Sequence, residues 1–281
     1  MITGMGSPLV SVADLSASLA GASPPLLLDV RWSLTGPPGL DSYRAGHLPG
    51  AVFVDVDHDL AGPPGPDGRH PLPDPHAAQE ALRRLGVRAQ RSVVAYDDGD
   101  ASIAARAWWL LRWAGHGDVR VLDGGYAAWL AAGLPVVAGD PPAVPPGDVV
   151  VRPGGMPVAS ADDAAVVARA GVLLDVRAPA RFRGETEPVD PVAGHVPGAR
   201  NAPFTGNLDA DGHFLGPAAL AARFADLGVR PGVDVAAYCG SGVTAAQTVL
   251  ALEVAGLRGA LYVGSWSHWV ADASRPVATG D

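Results

Sequence analysis

The chain has a single cysteine, Cys239, among 281 residues. One thiol excludes an internal disulfide framework and any zinc site built from several cysteines. Positive charge is also short: 20 Lys and Arg stand against 29 Asp and Glu, for a net charge of −9. That balance excludes nucleic acid as the main partner, because a strand or duplex demands a basic face. A small anion stays allowed, since backbone amides and one or two arginines supply enough local positive potential. No run of about 18 apolar residues is present, so no membrane span is expected. Met1 to Val10 carries no basic stretch followed by an apolar one, and the expected compartment is the cytoplasm. The eight histidines form no spaced ligand cluster, so neither a metal nor another cofactor is expected.

Glycine (36) and proline (27), by contrast, are plentiful, and they punctuate a pattern that occurs twice. Leu26-Leu27-Leu28-Asp29-Val30-Arg31 returns as Val172-Leu173-Leu174-Asp175-Val176-Arg177. Gly46-His47-Leu48-Pro49-Gly50 returns as Gly194-His195-Val196-Pro197-Gly198. Val93-Val94-Ala95-Tyr96 returns as Val235-Ala236-Ala237-Tyr238, and Gly124-Gly125-Tyr126 with Trp129 returns as Gly264-Ser265-Trp266 with Trp269. Four ordered matches at nearly constant offset mean two homologous domains. The expected boundaries are residues 1–138 for the first, 139–157 for a Pro- and Gly-dense linker and 158–281 for the second.

Within each half, short apolar runs (Leu26–Val30, Ser92–Tyr96, Asp234–Tyr238) alternate with Ala- and Leu-rich stretches of helical spacing. Ser102–Ala114 and Val243–Ala255 are such stretches, with Gly115 and Gly256 placed where helices end. Strand alternating with helix predicts an α/β fold, here two tandem domains, each a parallel sheet flanked by helices. Ligands of such sheets bind at the carboxyl ends of the strands.

Cys239-Gly240-Ser241-Gly242-Val243-Thr244 follows an apolar strand and precedes a helix. Two glycines let the backbone curl so that successive N–H groups face inward, toward an anion. The helix entrance adds its partial positive charge. A cysteine at the head of such a loop is a stabilised thiolate, which is what a sulfur nucleophile requires. The first half carries Asp97 in place of Cys239, so only one copy has a thiol.

These features resemble the tandem rhodanese family of thiosulfate and 3-mercaptopyruvate sulfurtransferases. The resemblance covers nearly the whole chain, and its most specific piece is the loop Cys239–Thr244. Gly240 and Ser241 resemble the mercaptopyruvate type, since thiosulfate-preferring members tend to be basic there. The resemblance implies an inactive first domain and a second domain in which Cys239 takes sulfur as a persulfide, its outer sulfur cradled by the amides of Gly240, Gly242, Val243 and Thr244. It assigns Arg181, and more weakly Arg183, to the substrate. It also implies a proton relay of Ser241 with His70 and Asp57. The implied partners are a small anionic sulfur donor and an acceptor such as cyanide, a thiol or reduced thioredoxin. The family's second substrate arginine has no match in residues 185–193, which contain none.

Two rival readings exist. A phosphatase of the same fold uses a longer loop closed by an arginine, whereas this loop closes at Thr244. A non-catalytic binding module has no need of an intact Cys239. His47 and His195, and the Asp29–Arg31 and Asp175–Arg177 pairs, recur in both halves and are expected to be structural. Trp266 is expected to line the pocket.

Overall fold

The computed structural model describes residues 6–34 and 36–281. They form two compact units, and the division does not follow the chain in order. The first unit holds the chain up to Leu60, Pro73–Met156 and the short Ala210–Phe214 segment. The second holds Ala61–Leu72, Pro157–Asp209 and Leu215–Asp281.

Each unit contains one five-stranded, all-parallel sheet flanked by helices. In the first, β1 (Leu9–Val10), β5 (Val119–Leu122), β4 (Val93–Tyr96), β2 (Leu26–Asp29) and β3 (Val52–Phe53) lie side by side in that order. In the second, the order is β6 (Val158–Ala159), β10 (Ala260–Tyr262), β9 (Val235–Tyr238), β7 (Val172–Asp175) and β8 (Arg200–Asn201). The repeat in sequence is thus a repeat in topology. Registers agree too: Asp29 stands beside Tyr96, as Asp175 stands beside Tyr238.

The central strands β2, β4, β7 and β9 are buried along their whole length, as parallel strands covered on both faces must be. Their Val and Leu side chains each stabilise the fold by about 1.5–3 kcal/mol. The helices that follow β4 and β9 run over Ala104–Trp113 and Ala245–Val254, close to their expected spans. Both end on a left-handed glycine, Gly115 (φ 89°) and Gly256 (φ 74°). No helix among the described residues is long and apolar enough to cross a membrane.

The repeated polar residues are internal braces. Arg177 grips Asp175 through Nε at 3.0 Å and Nη2 at 2.6 Å, and Nη2 also reaches the Gly194 carbonyl. Arg31 repeats this with Asp29 and Gly46. His195 stacks on Phe182 at 3.7 Å and bonds its carbonyl through Nδ1, while His47 does both with Tyr43.

Candidate active site

The loop of the second unit leaves β9 at Tyr238 and spans six residues, 239–244, before the helix Ala245–Val254. Its curl depends on Gly242, whose backbone is left-handed (φ 82°) and whose Cα faces the Val263 carbonyl so closely that a Cβ would overlap it. From this position the Gly242 N–H donates to Cys239 Sγ at 3.1 Å. The carbonyls are drawn the other way: those of Cys239 and Gly240 accept from the N–H groups of Trp266 (3.0 Å) and Ser267 (2.9 Å). With the carbonyls committed there, the interior of the loop suits a negatively charged sulfur.

The head of the loop is held by Ser265. Its Oγ accepts the Cys239 N–H at 3.1 Å and donates to the Tyr262 carbonyl at 2.8 Å. Ser265 has φ 53°, a left-handed backbone that costs a non-glycine residue on the order of 1–3 kcal/mol.

Three side chains close over the loop. His70 Nδ1 and Ser241 Oγ are 2.7 Å apart, and His70 is buried. A Cβ on Gly240 would lie 2.9 Å from Arg69 Nη2 and 3.6 Å from Arg181 Nη2, so two guanidiniums stand beside the residue that follows Cys239. Both are anchored by buried carboxylates. Arg181 donates to Glu187 from Nε (3.2 Å) and Nη2 (2.6 Å), and Asp190 lies between Arg181 (3.4 Å) and Arg69 Nη1. Burial alone would raise the Glu187 carboxyl. Hydrogen bonds from Arg181 and from the Asp190 and Val189 N–H groups outweigh it and hold that group below the usual carboxylate value. At Asp190 burial prevails and pushes the carboxyl up, against the pull of Arg69 and Arg181.

The corresponding loop of the first unit is already filled. The Asp97 carboxylate accepts the N–H groups of Gly99 and Ala101 on one oxygen and of Ile103 and Ala104 on the other, all at 2.9–3.1 Å. The loop closes on its own side chain. Burial and neighbouring Asp100 push that carboxyl up to about 6 despite the four donors.

Of the residues expected from sequence, Cys239, Gly240, Ser241, Gly242, Val243, Thr244, His70 and Arg181 all belong to the second unit. His70 does so because residues 61–72 pack there. Val243 is buried, and Thr244 directly precedes the helix. Asp57 belongs to the first unit, where its carboxylate accepts the Trp32 indole N–H at 3.2 Å. Arg183 closes its fork on Glu185, at 2.6 and 3.0 Å. Trp266 is fully buried, carries the Arg177 guanidinium 4.7 Å from its ring centre, and donates its backbone N–H to the Cys239 carbonyl at 3.0 Å. Sequence reasoning missed Arg69, Glu187, Asp190 and Ser265. The one signal for Arg69 was its place beside His70.

The pattern of the rhodanese-like domain matches residues 11–132 and, a second time, 160–272. The chain belongs to the rhodanese family. Among this rhodanese's relatives is a Pseudomonas aeruginosa protein named for 3-mercaptopyruvate sulfurtransfer, 50% identical over 97% of this chain and 98% of its own length. A Mycobacterium tuberculosis protein, SseB, named for thiosulfate sulfurtransfer, is 45% identical over 98% of both chains. The crystal structure of SseA from Escherichia coli superposes with a TM-score of 0.83 at 31% identity, covering 93% of this rhodanese and all of SseA. The chain is accordingly an enzyme, a sulfurtransferase.

Proposed function

We propose that this sulfurtransferase takes its sulfur from 3-mercaptopyruvate and holds it as a persulfide on Cys239. The carrying observation is the 2.7 Å contact of His70 Nδ1 with Ser241 Oγ, two residues from the nucleophile. Breaking a carbon–sulfur bond leaves a carbanion equivalent that must be protonated, whereas breaking the sulfur–sulfur bond of thiosulfate releases sulfite, which needs no proton. A serine–histidine pair beside the thiol is therefore matched to the first reaction.

In this reading the Cys239 thiolate attacks the donor sulfur. The new sulfur–sulfur bond forms as the carbon–sulfur bond breaks, and its electron pair goes to the methylene carbon of the pyruvate enolate. The thiol proton of the donor passes through Ser241 and His70 to that carbon, giving pyruvate and a Cys239 persulfide. The terminal sulfur is cradled by the amides of Gly240, Gly242, Val243 and Thr244, as an oxyanion hole cradles oxygen. Arg181 orients the donor through Nη1, the edge of its guanidinium that Glu187 leaves open. A thiophilic acceptor then removes the sulfur: cyanide, a small thiol or a reduced thioredoxin, the last two being partners of the cytoplasm.

A second reading, thiosulfate as donor, is favoured by the two guanidiniums over Gly240, which suit a sulfonate group equally well. Steady-state kinetics with both donors, at fixed cyanide, separates them. Mercaptopyruvate is expected to have the higher kcat/KM, and His70→Asn should lower that value by roughly 100-fold or more while affecting thiosulfate far less. Equal loss with both donors would overturn the first reading. Mass spectrometry should find one added sulfur atom, on Cys239. Hydrolysis of an aryl phosphate without such an adduct would point to phosphatase chemistry instead.

A further inference from the structure

We propose that Arg69 is the second carboxylate-binding arginine of the donor site, supplied by residues 61–72 in place of the arginine that residues 185–193 lack. The proposal rests on the donor reading above and adds a specificity-determining residue to it.

Three observations carry it. First, Arg69 Nη2 lies nearer to the place a Cβ on Gly240 would occupy (2.9 Å) than Arg181 Nη2 does (3.6 Å). Gly240 has no side chain, and that absence is what leaves room for the guanidinium. Second, two like charges this near each other need a reason and a restraint, and Asp190 supplies the restraint. It is nearly inaccessible, binds Arg69 Nη1 with one oxygen and lies 3.4 Å from Arg181 Nη2 with the other. The bridging carboxylate uses one edge of the Arg69 guanidinium. Nη2 of Arg69 and Nη1 of Arg181 retain donors with no partner among the described residues, and both side chains remain partly open to solvent, at 29% and 21%. Two open guanidinium edges beside the residue that follows the nucleophile match a small molecule carrying a carboxylate on its reacting carbon chain.

Third, Arg69 is anchored to the same frame as the loop. Its N–H donates to Ser267 Oγ at 3.1 Å, and the N–H of Ser267 donates to the Gly240 carbonyl at 2.9 Å. The approach is set by Gly68 (φ 112°), where a Cβ would come within 2.8 Å of the Gly264 carbonyl oxygen. The backbone of Arg69 is therefore tied, through Ser267, to the loop that carries Cys239.

The test compares wild type, Arg69→Ala and Arg69→Lys with two donors: 3-mercaptopyruvate, and 1-mercaptopropan-2-one, which keeps the thiol and ketone but has a methyl where the carboxylate was. Arg69→Ala is expected to lower kcat/KM for mercaptopyruvate by roughly 10–100-fold, mostly through KM. The preference for mercaptopyruvate over the carboxylate-free donor should fall by the same factor. Lysine should restore only part of it, since a point charge lacks the fork. Equal losses with both donors, or no loss with either, would overturn the assignment. Calorimetric binding of pyruvate gives a readout that needs no turnover. It should weaken in Arg69→Ala by a similar factor, and unchanged affinity would also overturn the assignment. Failure of the wild type to turn over mercaptopyruvate would count against the donor reading, while the pyruvate comparison still decides the role of Arg69. Thermal melts of the variants separate loss of the site from loss of the fold.

Discussion

Ser265 holds the backbone N–H of Cys239 at 3.1 Å from a backbone conformation that serine rarely adopts. The first unit has Gly125 at this place, with φ 54°, so the same local path is followed there without a side chain. The serine hydroxyl is the difference, and only the unit with the thiol has it. Strain retained beside a nucleophile is a sign of function. Ser265→Ala keeps the strained backbone and leaves the buried Cys239 N–H without its partner. It should destabilise the protein by about 1–3 kcal/mol and slow persulfide formation. Ser265→Gly relieves the strain and should be the more stable of the two by thermal melting, yet equally slow in sulfur loading. Full loading rates in both variants would show that the hydroxyl does not position the thiol.

Gly242 is the position with no alternative. Its φ of 82° and the Val263 carbonyl beneath it exclude any side chain. Gly242→Ala must distort the loop and move the N–H that donates to Cys239 Sγ. A loss of about 2–4 kcal/mol in stability is expected, in the range of strained-backbone and overpacking substitutions, together with loss of sulfur transfer. Chemical denaturation and a single-turnover assay with mercaptopyruvate measure the two effects separately.

Much of this architecture is legible in the sequence because it repeats. Two β-strand-Asp-x-Arg segments, two Gly-His-x-Pro-Gly turns and two apolar runs ending in tyrosine fix two parallel sheets without any tertiary information. The loop of Cys239 is legible because glycine spacing determines local curl. Arg69 and Asp190 are not, since their meeting depends on a pairing across 121 residues and on residues 61–72 packing with the second unit. Ser265 escapes because nothing in its residue type announces a positive φ. Residues 139–157 illustrate the converse. Their Pro and Gly content correctly signals irregular backbone, but not the bonds it makes: Gly147 N–H to the Arg83 carbonyl at 2.7 Å and Arg152 N–H to the Ala114 carbonyl at 2.8 Å. Irregular structure and absence of partners are different properties, and composition reports only the first.

The filled loop of the first unit gives a pH signature. The Asp97 carboxyl is raised by burial from 3.8 to about 6 in the folded chain. Between those values the folded state holds a proton that the unfolded state has released. Stability from this group is therefore complete below about 3.8 and is lost as pH rises through about 6. The loss is on the order of 3 kcal/mol. Glu187, whose carboxyl is held low, acts in the opposite sense, with stability lost as pH falls through its folded value. The Asp97 contribution must therefore be read as a difference. Asp97→Asn cannot titrate, so the unfolding free energy of wild type minus that of the variant should fall as pH rises from 4 to 7. A constant gap over that range would mean that the carboxylate is ionised throughout.

Gly240 links the loop to the two arginines, and its substitution distinguishes their placement from their presence. A methyl group there would meet Arg69 Nη2 at 2.9 Å, and the obstacle is the far end of a flexible side chain rather than backbone. The fold should accept Gly240→Ala with a change in stability of only about 0.5 kcal/mol, typical of a substitution that strains no backbone. The guanidinium, however, must retreat from its place beside Gly240. KM for mercaptopyruvate should then rise by roughly 3–10-fold, because the open donor edge no longer meets the carboxylate at bonding distance. Combining Gly240→Ala with Arg69→Ala supplies the decisive comparison. If the methyl acts by displacing Arg69, the double variant should be no worse than Arg69→Ala alone, since the displaced group is already gone. Additive losses would mean that the methyl obstructs the donor directly, and that Gly240 is required by the substrate rather than by the arginine.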